Sequence, residues 1–142
     1  MADDHPLVRL ETLALIAIGG FAGANLRFFA LGVFPDVLAV LLVNILGSFA
    51  LGFFVYEAQY TGLVDRTSRI VFTTGFLSSL TTYSTFAIQT GITAGPAEPL
   101  VLVAIVLGNY GLGFAGVLAS RTLARRVTGG STATAENGGE TA

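Results

Sequence analysis

The chain is dominated by long apolar runs whose charges fall at their ends. A helix that crosses a bilayer needs about 20 apolar residues, and four segments meet that length. The first runs from Thr12 to Leu31, with Arg27 near its end, and the second from Val37 to Tyr56, framed by Asp36 and Glu57. The third, residues 70–94, follows Arg69 in a stretch without charge until Glu98; the fourth runs from Leu100 to Ser120 and stops at Arg121. The third run exceeds what one crossing requires and holds Gly75 and Gly91, with Gly95 and Pro96 just beyond, which predicts a break or an early end. The pattern predicts an all-α integral membrane protein with four transmembrane helices. Residues 1–9 form an N-terminal tail, 10–126 one membrane domain, and 127–142, rich in Gly, Ser, Thr, Ala and Glu, a disordered tail.

Composition agrees with lipid contact. Of 142 residues, 53% are hydrophobic and 11% charged, with a mean hydropathy of +0.75; a soluble domain carries about a quarter charged residues. The absence of cysteine removes disulfides and thiol chemistry, and the net charge of −2 argues against a nucleic-acid footprint. A secretory signal starts basic; here Asp3 and Asp4 make the start acidic, so the first apolar run is expected to be retained. Every basic residue is arginine. In a four-span chain Arg9, Arg66, Arg69, Arg121, Arg125 and Arg126 fall on one side and Arg27 alone on the other. That bias places both termini in the cytoplasm.

Polar residues inside the runs need a partner, a cavity or a pathway. Asn44, with Ser48 one turn later, fits a helix–helix hydrogen bond or a pathway. From Ser78 to Phe86, six Ser or Thr residues and two aromatics occupy nine positions. In a continuous helix Thr81, Ser84 and Thr85 share one face, while Tyr83 and Phe86 share another, followed by Gln89. Hydroxyls bonding their own helix explain scattered residues, but not this density beside paired aromatics. Hydroxyl and amide donors together with electropositive ring edges suit a small anion shedding water. The lack of fixed charge suits weak, multi-site binding, and no Asp or Glu lies well inside a run to serve a cation path. Gly19 and Gly23 form a helix-packing face, as do Gly113 and Gly116 beside Asn109. Arg27 either anchors at the interface or draws anions toward a vestibule; His5 is a solvated terminal residue.

Three stretches together resemble the CrcB-type (Fluc) fluoride channels: Gly19-Gly20-Phe21-Ala22-Gly23-Ala24-Asn25-Leu26-Arg27-Phe28, Asn44 with Gly47-Ser48, and Gly75-Phe76-Leu77 through Thr81-Thr82-Tyr83-Ser84-Thr85-Phe86. The likeness covers residues 10 to 126, and the third stretch is its specific part. It implies an antiparallel dimer with two pores that passively export cytoplasmic fluoride and so limit its toxicity. It also implies that Asn44 lines a pore, that Phe86 and Tyr83 form an aromatic box at a break in the third span, and that Asn109 stands where the family has a pore serine. A structural sodium ion is implied at the dimer centre, on backbone carbonyls of Ser78 and Thr81. The chain departs from the family where Tyr83 replaces a phenylalanine and where Ser78-Ser79 replaces a Gly-Gly pair, whose backbone freedom is greater. The partner is a second subunit, expected to be an oppositely oriented paralogue or else a second copy.

Two other classes compete with that reading. A small four-helix multidrug-type transporter needs a membrane-embedded carboxylate, and Glu11, the one candidate, sits at the mouth of the first run. A non-transporting assembly subunit would use the glycine faces but leaves the Ser78–Phe86 stripe unexplained. No metal cluster or nucleophile–base pair supports an enzyme.

Overall fold

The computed structural model describes residues 6–93 and 98–137, and they contain helices but no strand. Helix α1 spans Pro6–Val33, α2 Asp36–Tyr60 and α3 Arg66–Ile70. A π-helical segment, Val71–Leu77, leads into α4, Ser78–Leu80; α5 is Tyr83–Thr93 and α6 Pro99–Asn137. Among the described residues α1, α2 and the Pro99–Val127 part of α6 have the length and apolar character to cross a membrane. At 1.5 Å per residue α1 and α2 are about 42 and 38 Å long, and α1 starts on a proline whose missing N–H costs nothing in a first turn.

The third apolar run is divided. The α3, π and α4 pieces follow one another to Leu80, Thr81 is extended (φ −74°, ψ 155°), and helix resumes at Tyr83. Glycine is not what interrupts it: Gly75 lies within the π segment and Gly91 within α5. Gly95 and Pro96 lie outside the described residues, as do residues 1–5 with His5 and residues 138–142. The break also takes Thr81 off the helix that carries Ser84 and Thr85, so the shared face expected for the three does not form. At the other end of the chain, α6 continues past Arg126 to Asn137, through positions whose composition reads as a tail.

Two seams hold the helices together. In the first, α1 lies on the π segment. A Cβ on Gly23 would overlap the Phe76 carbonyl, and one on Gly75 would sit 2.6 Å from the Ile16 carbonyl oxygen. The Gly19/Gly23 face therefore does what a small-residue face does in lipid, where backbone approach and dispersion replace the hydrophobic drive. In the second, α2 runs along α6. Val43 of α2 joins Leu77 and Leu80 in a small buried cluster at the meeting of α2 with the divided segment. Outside these seams the chain is apolar and open: Phe28 is 78% exposed and Leu100 83%.

The α2 terminus carries two polar fastenings. Tyr60 accepts hydrogen bonds from Nε of Arg125 at 3.0 Å and of Arg121 at 3.5 Å, tying α2 to the end of α6. Glu57, 2% exposed, pairs through Oε2 with Arg69 Nη2 at 3.3 Å and accepts the Val64 N–H on Oε1 at 3.0 Å. Between them, Gly62 supplies the positive φ (61°) of the turn. Asp65 caps α3 by accepting the Ser68 N–H at 2.9 Å, and its hydrogen bonds to Ser68 hold its carboxyl below the usual aspartate range.

Candidate functional site

Asn44 is the centre of the polar structure. Its position on α2 faces the break between α4 and α5, and the two are paired like neighbouring strands. Thr82 N–H donates to Asn44 Oδ1 at 2.9 Å, and Asn44 Nδ2 donates back to the Thr82 carbonyl at 3.2 Å. This replaces the backbone bond that a continuous helix would form from Thr82 to Ser78, so one side chain both satisfies the break and fixes its place. The remaining Asn44 donor reaches Asn109 Oδ1 on α6 at 3.2 Å, while Asn109 Nδ2 bonds back to Ile105 O at 3.4 Å. The helix–helix hydrogen bond expected of Asn44 is thus present, made to the break and to α6 at once.

A cavity of about 370 Å³ opens on this junction. Asn44, Gly47, Ser48 and Leu51 of α2 form one wall, and Asn109 and Tyr110 of α6 another. The divided segment supplies Thr73, Leu77, Ser78, Thr81, Thr82, Tyr83 and Phe86. A Cβ on Gly47 would run into the Thr81 methyl, so glycine there lets the break come close to α2. Phe86 is buried and touches both neighbouring rings, Tyr83 at 6.0 Å between centroids and Tyr110 edge-on at 5.8 Å. Tyr83 itself is 72% exposed.

The structure therefore gathers Asn44, Asn109, Tyr83, Phe86, Ser78 and Thr81 around one cavity. Ser84 and Thr85 are not on its wall. They belong to a hydroxyl cluster just behind it, in which Thr82 Oγ1 donates to Thr85 Oγ1 at 2.9 Å, accepts the Thr85 N–H at 3.2 Å and lies 3.5 Å from Ser84 Oγ. Arg27 lies at the break: its Nη1 donates to the Thr81 carbonyl at 3.4 Å. Ser78 turns its hydroxyl back onto the Thr74 carbonyl, and Thr81 Oγ1 bonds Leu77 O at 3.0 Å. These bonds leave the site uncharged apart from Arg27. The arrangement offers neutral amide and hydroxyl donors beside ring edges, a surface that dehydrates an anion weakly.

Sequence reasoning missed three participants. Thr82 was one hydroxyl in a dense stripe, yet its backbone makes the decisive bonds. Thr73 and Tyr110 complete the cavity wall; Tyr110 follows Asn109 directly, which is the only signal it gave. The buried Glu57–Arg69 pair was legible just as charges framing two runs. Since Arg69 and the Val64 N–H occupy both Glu57 oxygens, Glu57 is no free membrane carboxylate.

Residues 14–121 match the family model described as CrcB-like protein, Camphor Resistance (CrcB). The chain is 51% identical over 130 residues to the fluoride-specific ion channel FluC 1 of Haloarcula marismortui, covering 92% of this chain and 98% of that one. It is 44% identical over 117 residues to FluC 1 of Natronomonas pharaonis, covering 81% and 95%. It is also 44% identical over 120 residues to FluC 2 of Halobacterium salinarum, covering 84% and 91%.

Proposed function

The chain belongs to the CrcB-like family and is a multi-pass membrane protein, and on that premise we propose that it is a passive fluoride-selective channel exporting cytoplasmic fluoride to reduce its toxicity. It is a conduit and not an enzyme. The observation that carries the proposal is the Asn44 junction, where the Asn44 amide of α2 donates to the Thr82 carbonyl of the break and to Asn109 Oδ1 of α6 on the wall of one cavity. Fluoride is small and strongly hydrated, so its passage requires donors that replace water in steps. Asn44 is held by its two bonds to Thr82, and its third bond, to Asn109, is the exchangeable one. In this reading fluoride takes the place of Asn109 Oδ1 on the Asn44 amide. The ring edges of Phe86 and Tyr83 face the ion beyond it, and Ser84 and Thr85 tune the Thr82 hydroxyl behind. Arg27 raises the local anion concentration where the path meets the break.

Within this proposal the π segment, α4 and α5 make the third of four spans, residues 70–94, broken at Thr81-Thr82, inside the membrane domain of residues 10–126. Two chains pair antiparallel. The 72% exposure of Tyr83, half of the aromatic pair, supports a pathway completed by a second subunit. A sodium ion at the dimer centre would sit on the Ser78 and Thr81 carbonyls. Neutral carbonyl oxygens suit such an ion, and the Ser78 carbonyl loses its helical donor when Thr82 N–H turns to Asn44. Binding at Thr81 requires Arg27 to release that carbonyl.

Six arginines against one give the chain one orientation, with both termini cytoplasmic and an oppositely oriented paralogue as partner. Fluoride efflux from liposomes tests the function: this chain with its partner releases fluoride and not chloride, and failure with every subunit combination rejects the channel. A reporter on the C-terminus tests the pairing. Signal from the cytoplasmic side alone is expected; equal signal from both sides, or full efflux from this chain alone, rejects the paralogue.

A further inference from the structure

A second cavity, of about 400 Å³, lies between the start of α1 and the start of α3. Arg9 and Thr12 of α1 and Arg66 and Thr67 of α3 supply its polar lining, over an apolar floor that includes Leu13 and Ile70. Neither arginine forms an ion pair among the described residues. The nearest carboxylates in sequence, Glu11 and Asp65, do not line the cavity, and Asp65 is engaged by Ser68. Two guanidinium groups without an ion pair among the described residues are thus gathered on one concavity. Since α1 and α3 both start at the α2 C-terminal end of the molecule, it lies at the level of the arginine-rich ends of the helices.

We propose that this cavity is a binding site for the phosphate group of an anionic membrane lipid. Guanidinium groups match phosphate oxygens by paired hydrogen bonds, and the Thr67 hydroxyl adds a donor, whereas the Thr12 hydroxyl donates to the Val8 carbonyl at 3.0 Å. A basic pocket between helices at the membrane surface is where a lipid headgroup competes best. The floor decides between a lipid and a free phosphate. It continues into the exposed Leu10 and Leu13 of α1, 63% and 62% exposed, a wall along which an acyl chain lies while the phosphate stays with the arginines. A soluble phosphate would gain nothing from that wall. The site is separate from the Asn44 cavity and shares no residue with it, so occupancy seats the end of α1 against α3 without entering the ion path.

Native mass spectrometry of the intact detergent-solubilised protein, titrated with dioleoyl phosphatidylglycerol or dioleoyl phosphatidylcholine, tests this. The wild type should retain one more phosphatidylglycerol per chain than the Arg9→Gln/Arg66→Gln double variant, whose affinity should fall about thirtyfold, roughly fivefold per arginine. Arg126→Gln should leave that lipid in place, and the double variant's fluoride efflux should stay at the wild-type level, showing that it is folded. Equal retention of phosphatidylglycerol by wild type and double variant overturns the proposal. So does equal retention of phosphatidylcholine, or complete displacement of the lipid by millimolar inorganic phosphate, which would make the cavity a free-anion site.

Discussion

Helix α2 is fastened to the divided segment twice, and the two fastenings are made of opposite chemistry. At Asn44 the bonds run between neutral amides, one side chain against the backbone of Thr82. At Glu57, 13 residues or about 20 Å farther along the helix, the bond is a full ion pair with Arg69. A charge near the bilayer centre costs several kcal/mol, whereas near a helix end it reaches water or headgroups. The neutral bond thus lies within the α2 run and the charged one near its end. The neutral fastening sits on the wall of the Asn44 cavity, where the proposed ion path runs; in the charged one Arg69 and the Val64 N–H occupy both Glu57 oxygens.

The largest effect expected from this contrast is on stability. Glu57→Ala should lower the unfolding free energy by about 3 kcal/mol. That is the low end for breaking a buried pair, because the Arg69 side chain keeps 25% exposure. Thermal unfolding in detergent measures it, and fluoride flux per folded channel should be unchanged. A variant that folds normally but loses flux would erase the distinction between the two fastenings. Asn44→Ala should do the reverse, cutting flux by roughly ten- to a hundredfold, the worth of a hydrogen bond to a charged partner, while the protein still folds and assembles. Wild-type efflux from a well-assembled Asn44→Ala channel would reduce Asn44 to a packing residue.

Within the neutral region, Phe86→Ile should lower flux about tenfold by removing the edge that meets Tyr83 and Tyr110. Tyr83→Phe keeps a ring and should change flux less than about twofold; wild-type rates for both variants would show that the ring pair plays no part. The smallest effect lies at the charged end. Asp65 has a folded-state carboxyl held below its ordinary value by Ser68, so its capping contribution is present above the unfolded value and lost as pH falls through the lower folded one. Acid titration of wild type against Asp65→Asn should show a slight extra loss of melting temperature for the wild type in that window, and parallel curves would mean the cap contributes nothing.

What the sequence showed and what it hid divide along the same line. Hydropathy located α1, α2 and α6 because a long apolar run has one reading in lipid. Asn44 and Asn109 stood out as amides in such runs, and the CrcB-type motif marked Ser78 through Phe86. Periodicity failed where it presumes an unbroken helix: the face drawn through Thr81, Ser84 and Thr85 dissolves once Thr82 turns to Asn44, 38 positions away. Arg27 was weighed as an anchor or a vestibule charge, and no pattern along α1 announces that it meets the Thr81 carbonyl 54 positions on. Bonds between a side chain and a distant backbone leave no periodic trace.

The Glu57–Arg69 clasp also bears on the order in which the chain matures. It closes a loop of 12 positions, whereas the Asn44–Asn109 bond must wait for a residue 65 positions on. The difference in closure entropy is about 1.5 kcal/mol in favour of the clasp. As the chain emerges from synthesis, α2 and the start of the divided segment are joined as a hairpin before α6 has been made. The Asn44–Asn109 bond is then made last, onto a pair of helices whose register is already set.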